Sequence, residues 1–172
     1  MVGDMLDINS YGKGDVDLIV FEKAYEQLRN RRGKDLNGGY FKEIAKALTG
    51  KNSKATNSDS ETLSWIKNNG NSIGNTVVAD LYVYSKNGTP PTCLDVNGNT
   101  VNLFGGTGGV LIDYNSNTKK IGHALSIVAY NSTTGIVTLR NTHGEGVYNI
   151  PVQNLKGLDI GIDYLNLDKV TI

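Results

Sequence analysis

The stretch HALSIVAYNSTTGIVTLRN, residues 123–141, has the pattern of a β-hairpin. Its two ends, residues 123–130 and 136–141, are rich in aliphatic and β-branched side chains. The polar segment between them, residues 131–135, ends in glycine and has a composition typical of turns. The sequence therefore predicts two antiparallel strands joined by a turn at residues 131–135.

Further strands are predicted on both sides of this hairpin. In residues 76–84, Val77, Ala79, Leu81 and Val83 occupy alternate positions, which is the two-residue period of a strand. A short apolar run predicts a strand at residues 110–112, and two more are predicted at residues 147–152 and 160–167. Residues 86–100 are polar, contain Pro and Gly, and predict an irregular excursion around the single cysteine.

The first part of the chain has helical periodicity instead. Apolar residues recur at intervals of three and four in the segments 18–28 and 41–48, and each predicts one face of a helix. Residues 51–60 are polar and predict a loop. A third helix is predicted to start at Ser58, which has capping-box spacing to Glu61, and to end near Gly70.

The order of these elements, helices first and strands afterwards, predicts an α+β fold with an antiparallel sheet or barrel. We expect a helical part at about residues 15–70 and a β lobe with the hairpin at about residues 76–172.

Composition excludes several classes of partner. Lys plus Arg and Asp plus Glu are balanced at 17 each, which gives no reason to expect nucleic acid or a charged membrane surface. No apolar run reaches the length of about 18 residues that a membrane span needs, and the N-terminus lacks the pattern of a signal peptide. We therefore expect a soluble protein; its compartment stays unknown. One cysteine permits no intramolecular disulfide.

The hairpin places two polar residues of catalytic type opposite each other. His123 begins the first strand and Asn141 ends the second, so pairing puts residue 141 opposite residues 123–125. We expect both side chains to converge on an open cleft face, where the Asn amide oxygen can hold an imidazole N–H. A histidine that activates a thiol needs its second nitrogen held in this way. By spacing alone, a His at a strand end is more often a structural residue than a catalytic one.

Four blocks of sequence resemble the calpain-like branch of the papain-type cysteine peptidases. Residues 122–128 (GHALSIV) and 139–145 (LRNTHGE) are similar to the family's GHAYSV and RNPWGE. Residues 21–28 (FEKAYEQL) resemble its LLEKAYAKL, and Gly38-Gly39 followed by residues 47–50 (ALTG) resembles its GG and LTG. The resemblance implies a papain-like fold, peptide-bond hydrolysis of a protein or peptide substrate, His123 as catalytic base and acid, and Asn141 as the residue that orients it.

The chain departs from the family pattern in two places. Thr142-His143 stands where the family has Pro-Trp, whose tryptophan shields the His–Asn bond from water. The family's nucleophilic cysteine and oxyanion-hole glutamine precede the EKAY helix, whereas residues 1–21 contain neither Cys nor Gln. We therefore expect the missing upstream lobe of the peptidase to be a partner, and residues 1–172 alone to be inactive.

Cys93 is the one thiol in the sequence. It follows Pro90-Pro91-Thr92 and precedes a polar turn, and no helix is predicted beside it to lower its pKa. We expect an incidental loop thiol. The alternative, a nucleophile, requires Cys93 to lie within hydrogen-bond reach of His123.

Cofactor motifs are weak. The segment 95–99 (DVNGN) predicts a hairpin turn and not a calcium loop, because the sixth and twelfth positions hold Thr100 and Gly106. The segment 105–109 (GGTGG) lacks the Lys and Ser/Thr of a phosphate loop and predicts a turn on the rim of the cleft. Two His and one Cys make no zinc set. No cofactor is required by the sequence, and the resemblance allows calcium.

The sequence thus supports two functions. The first is a calpain-like cysteine endopeptidase region whose nucleophile lies outside this chain. The alternative is a catalytically inactive module of the same fold that binds or interacts with another protein.

Overall fold

A computed structural model describes residues 41–56, 58–85, 89–105, 122–141 and 146–167 of the chain. Several predictions lie outside these residues: the helix at 18–28, the turn at Gly38-Gly39, the strand at 110–112 and the segment around His143. Residues 106–109 of the predicted turn at 105–109 and residues 86–88 of the excursion at 86–100 also lie outside the described part of the chain.

The described residues contain two α-helices, both where the sequence predicts them. Helix α1 spans Phe41–Thr49 and helix α2 spans Asp59–Asn69. The hydroxyl of Ser58 accepts a hydrogen bond from the Glu61 amide at 3.3 Å, which confirms the predicted N-cap. A 3₁₀ turn at Gly70–Ser72 follows α2. Among the described residues, no helix is long and apolar enough to cross a membrane.

Six strands form one antiparallel sheet, which makes the fold α+β as predicted. Its order is β1-β8-β2-β5-β6-β7, so β1 and β7 are its edges and the described strands do not close into a barrel. A separate hairpin is formed by β3 and β4. The bounds are Lys54–Thr56 (β1), Val77–Tyr84 (β2), Thr92–Leu94 (β3), Thr100–Asn102 (β4), Gly122–Asn131 (β5), Ile136–Asn141 (β6), Gly146–Pro151 (β7) and Asp159–Asn166 (β8).

The hairpin of β5 and β6 confirms the prediction made from residues 123–141. The side-chain oxygen of Asn131 accepts bonds from the amides of Thr133 and Thr134, and Gly135 has a φ of 68°, which closes the turn. A β-bulge interrupts the pairing between Ile127 and Ala129. Asn141 pairs with Leu125, within the predicted range.

Two predictions of irregular structure are wrong. The polar segment 51–60 contains strand β1, and the excursion at 86–100 contains β3 and the start of β4. Lys54 and Ala55 are exposed, so β1 carries no alternating apolar signal. The strand is fixed from outside itself, because the Thr56 hydroxyl lies 2.6 Å from that of Thr62 and accepts a bond from the amide of Ile162.

The core lies on one face of the sheet. Apolar side chains of β2, β5, β6, β7 and β8 pack there with Ile66 of α2 and with Leu103 and Phe104, which follow β4. The rings of Trp65 in α2 and Tyr164 in β8 lie 4.5 Å apart between centroids, tilted by 38°, and join the helix to the sheet. Burial of apolar surface between these layers supplies the main stabilising force of the fold.

Strand β2 lies in the middle of this sheet, between β8 and β5. Leu81 and Val83 are fully buried in the core, and Tyr82, which points to the other face, is 8% exposed. The backbone amide of Phe41 donates to the Tyr82 hydroxyl at 3.3 Å, so the start of α1 lies over that second face.

Candidate active site

His123 and Asn141 lie together on the core face of the sheet. His123 pairs with Val83 of β2, and Asn141 pairs with Leu125 of β5, so both side chains point to the same side. The distance from His123 Nε2 to Asn141 Oδ1 is 2.9 Å. The predicted convergence of the two side chains on adjacent antiparallel strands is therefore confirmed.

The surroundings of the pair differ from the open cleft face that the sequence predicts. His123 is 2% exposed and Asn141 is 3% exposed. A residue that follows β4 covers the imidazole, since the rings of Phe104 and His123 lie 5.8 Å apart between centroids and are tilted by 53°. The hydrogen bond is consequently made in a setting from which water is largely removed, where it is electrostatically stronger than in water.

The geometry also assigns the proton on the imidazole. A carboxamide oxygen can only accept, so a bond from Nε2 to Oδ1 requires that Nε2 carries the proton. In the neutral ring the acceptor nitrogen is then Nδ1. Asn141 therefore selects one tautomer of His123, which is what a general base needs from its orienting residue.

The turn after β4 brings Phe104 to the pair. The Phe104 amide donates to Asn102 Oδ1 at 2.9 Å, and the Gly105 amide donates to the Asn102 carbonyl at 3.0 Å. Leu103 is fully buried, and its amide donates to the Pro91 carbonyl. We call residues 102–105 the Asn102 turn.

Gly105 lies against the amide of Asn141, and Tyr148 packs nearby. Gly105 has a φ of +70°, and a Cβ at this position would overlap the Asn141 amide nitrogen. The same Cβ position lies 3.9 Å from the Tyr148 hydroxyl. Tyr148 in turn passes over Gly146, where an added Cβ would lie 2.7 Å from the Tyr148 Cζ. Gly146 pairs with Asn141 across β6 and β7, so these residues form one packed group.

Sequence reasoning missed the three residues that surround the pair. Phe104 and Tyr148 belong to no recognised motif, and their place beside His123 and Asn141 depends on how β4 and β7 pack. Gly105 could be noticed in the sequence, because the glycine-rich run at 105–109 predicts a turn on the cleft rim. Its role against Asn141 could be found only from the tertiary structure.

Cys93 occupies the middle of β3, opposite Val101, and not a loop as the sequence predicts. It is 8% exposed and belongs to the apolar core. Burial, and secondarily the charge of Asp95, raises the pKa of the Cys93 thiol to about 11. Its thiolate is thus strongly disfavoured, whereas a nucleophilic cysteine needs a lowered pKa.

The segment 95–99 forms the turn between β3 and β4, as predicted. Asp95 Oδ1 accepts bonds from the amides of Asn97 and Asn99, both at 2.8 Å, and Oδ2 accepts from Asn99 Nδ2 at 3.2 Å. These bonds hold the pKa of Asp95 below its ordinary value. Within the described residues, no group of three or more His, Cys, Asp or Glu side chains could hold a metal ion.

Comparison with protein-family models, with curated proteins and with solved structures gave no match for this chain. The resemblance to the calpain-like peptidases therefore rests on the sequence motifs quoted above.

Proposed function

We propose that this chain is the histidine-and-asparagine part of a calpain-like, papain-type cysteine endopeptidase. The observation that carries the proposal is the 2.9 Å bond between His123 Nε2 and Asn141 Oδ1, on facing strands at the end of one hairpin. The motif resemblance at residues 122–128 and 139–145 gives the pair its catalytic roles.

In the proposed reaction, Nδ1 of His123 takes the proton of a cysteine thiol. The resulting thiolate attacks the carbonyl carbon of a peptide bond, and His123 returns the proton to the leaving amine. Water then attacks the acyl-enzyme with His123 as base, and the thiol is regenerated. Asn141 keeps Nε2 protonated and stabilises the imidazolium without adding a charge.

The nucleophile of this reaction is not Cys93. Its thiol is buried in a strand, and burial raises its pKa, so the thiolate is disfavoured at neutral pH. Since the sequence holds no other cysteine, the proposed thiol comes from outside residues 1–172. The resemblance implies the same for the oxyanion-hole glutamine, because the family's glutamine precedes the EKAY helix.

One observation favours the second candidate, an inactive module with the same fold. His123 and Asn141 are both almost fully buried, and a buried hydrogen-bonded His–Asn pair also satisfies a purely structural role. In that case the chain binds another protein and carries out no hydrolysis.

Assays of the complete gene product, with and without calcium, distinguish the two proposed functions. The peptidase proposal expects covalent labelling by a peptidyl epoxide and thiol-dependent peptide cleavage, both lost in His123→Ala and retained in Cys93→Ala. It also expects no such cleavage by residues 1–172 alone. A complete product that is not labelled favours the inactive module, and cleavage by the isolated chain that disappears in Cys93→Ala overturns the assignment of the nucleophile.

A further inference from the structure

The Asn102 turn touches both members of the His–Asn pair at once. Phe104 places its ring beside His123, and the next residue, Gly105, lies against the Asn141 amide nitrogen. Both contacts come from one turn, which Asn102 closes through its own side chain and carbonyl. A shift of this turn therefore acts on the two side chains together.

Contact with Gly105 restrains the Asn141 side chain. The carboxamide nitrogen occupies the space that any Cβ at position 105 would fill. Asn141 can thus place its nitrogen toward Gly105 and its oxygen toward His123 only while residue 105 is glycine. The φ of +70° gives a second reason for glycine here, because it lies in the left-handed region that other residues rarely adopt.

Tyr148 lies close to two glycines that neighbour Asn141. Its ring lies over the Cα of Gly146, the residue that pairs with Asn141, and its hydroxyl lies near Gly105. Phe104, at 2% exposure, covers the imidazole. Phe104 thus packs against the imidazole, while Tyr148 packs beside the two glycines that neighbour Asn141.

We propose that the Asn102 turn is a positioning element, in which Gly105 fixes the orientation of the Asn141 amide and Phe104 excludes water from the bond to His123. Phe104 does from a different part of the chain what the resemblance assigns to the tryptophan replaced by His143. The positioning role is a property of this structure, and its consequence for catalysis rests on the proposed peptidase function.

A matched pair of glycine substitutions tests the first half of the proposal. Gly135 has a φ of +68°, almost equal to that of Gly105, but no heavy atom lies within 4 Å of a Cβ built there. Gly135→Ala therefore introduces backbone strain alone, whereas Gly105→Ala introduces the same strain and displaces Asn141. The measurement is the ¹⁵N spectrum of the His123 ring in the 172-residue chain, at alkaline pH where imidazole is neutral.

We expect the wild type and Gly135→Ala to hold the proton on Nε2, and Gly105→Ala to shift the ratio of the two tautomers at least tenfold toward Nδ1–H. An unchanged ratio in folded Gly105→Ala overturns the proposal. If Gly105→Ala does not fold, Phe104→Leu replaces it, with exchange of the Nε2 proton with water as the readout. This variant is expected to exchange at least tenfold faster than wild type, and an equal rate overturns the proposal.

The same variants in the complete gene product separate this proposal from the proposed function. A tautomer shift in Gly105→Ala with a wild-type product that cleaves no peptide supports the positioning role and refutes the peptidase. An active wild type whose Gly105→Ala variant keeps both tautomer and activity refutes the positioning role alone.

Discussion

Cys93 and the His123–Asn141 pair are both buried polar groups, but burial affects them differently. The imidazole and the amide satisfy each other at 2.9 Å, so their burial leaves the bond intact. Cys93 lies among apolar side chains, and its pKa of about 11 reflects the cost of placing a charge there. Whether a buried polar group can ionise or take part in a reaction therefore depends on its residue type and on its hydrogen-bond partner.

This difference predicts the reactivity of the thiol. We expect Cys93 in the folded chain to react with a soluble disulfide reagent at least a hundredfold more slowly than in urea, because the native thiol is both covered and protonated. A control places a cysteine in the exposed turn as Ser132→Cys in a Cys93→Ala background, and that thiol should react at nearly the same rate in both conditions. Rapid native labelling of Cys93 would show that β3 opens easily.

His123 and Asn141 could be predicted from the sequence because they stand at the two ends of a strongly patterned hairpin. Phe104 and Tyr148 could not, because the contacts that matter join residues far apart in the chain. Asn141 and Gly105, for example, come together only after β4 and β6 have folded into one structure.

At the level of secondary structure, the length of an element decides whether it can be predicted from the sequence. Helix α2 has a cap, and strands β2, β5, β6 and β8 are long enough to show a period, so they were predictable. Strands β1, β3 and β4 have three residues each and too few positions to show alternation. Their structure is set by tertiary contacts such as the bond between the hydroxyls of Thr56 and Thr62.

The cap of α2 can be measured directly. We expect Ser58→Ala to lower the free energy of unfolding by about 1 kcal/mol, because the Glu61 amide loses its acceptor. Ser64→Ala is the control, since Ser64 is an exposed residue inside the same helix where alanine is well tolerated. Urea denaturation of both variants checks the prediction. Equal effects would mean that the Ser58 bond does not hold the helix end.

Across the whole molecule, the second face of the sheet carries a row of polar side chains at its centre, whereas the centre of the first face is apolar. Asp80 of β2 pairs with Asp163 of β8 on one side and with Ser126 of β5 on the other, so the three side chains form a row. Burial, and to a smaller extent the charge of Asp163, raises the pKa of Asp80 to about 6. The hydrogen bond that the Ser126 hydroxyl donates to Asp80 acts in the opposite direction and lowers this pKa. Burial also raises the pKa of Asp163, and Lys42 of α1 opposes that shift.

The raised pKa of Asp80 predicts a fall in stability as the pH rises. Between about pH 4 and pH 6, the folded state holds a proton that the unfolded state has already released, so the free energy of unfolding decreases across this interval. The expected decrease is on the order of 2 kcal/mol, since one pKa unit corresponds to about 1.4 kcal/mol and Asp80 retains some contact with solvent.

Urea denaturation at several pH values tests this linkage. Asp80→Asn should flatten the decrease between pH 4 and 6, because asparagine keeps the acceptor for Ser126 and cannot ionise. Asp95→Asn is the control: the pKa of Asp95 is lowered, so its contribution is lost as the pH falls and this variant should keep the decrease. An Asp80→Asn profile as steep as that of the wild type would contradict the prediction.

The bulge between Ile127 and Ala129 has a consequence for how this hairpin can change by insertion and deletion. Pairing near the turn, such as Tyr130 with Val137, would if continued without interruption set Asn141 opposite Ser126, on the face away from His123. The extra residue, Val128, shifts the register of the β5 residues that precede it by one position. His123 and Asn141 therefore face the same side of the sheet. Deleting Val128 itself would remove the bulge and leave Leu125 opposite Asn141. Deleting one residue of β5 between His123 and the bulge, with the bulge kept, would instead move His123 to the other face of the sheet. The number of residues between the His and the Asn is thus expected to change by two at a time, unless a bulge is gained or lost in the same event.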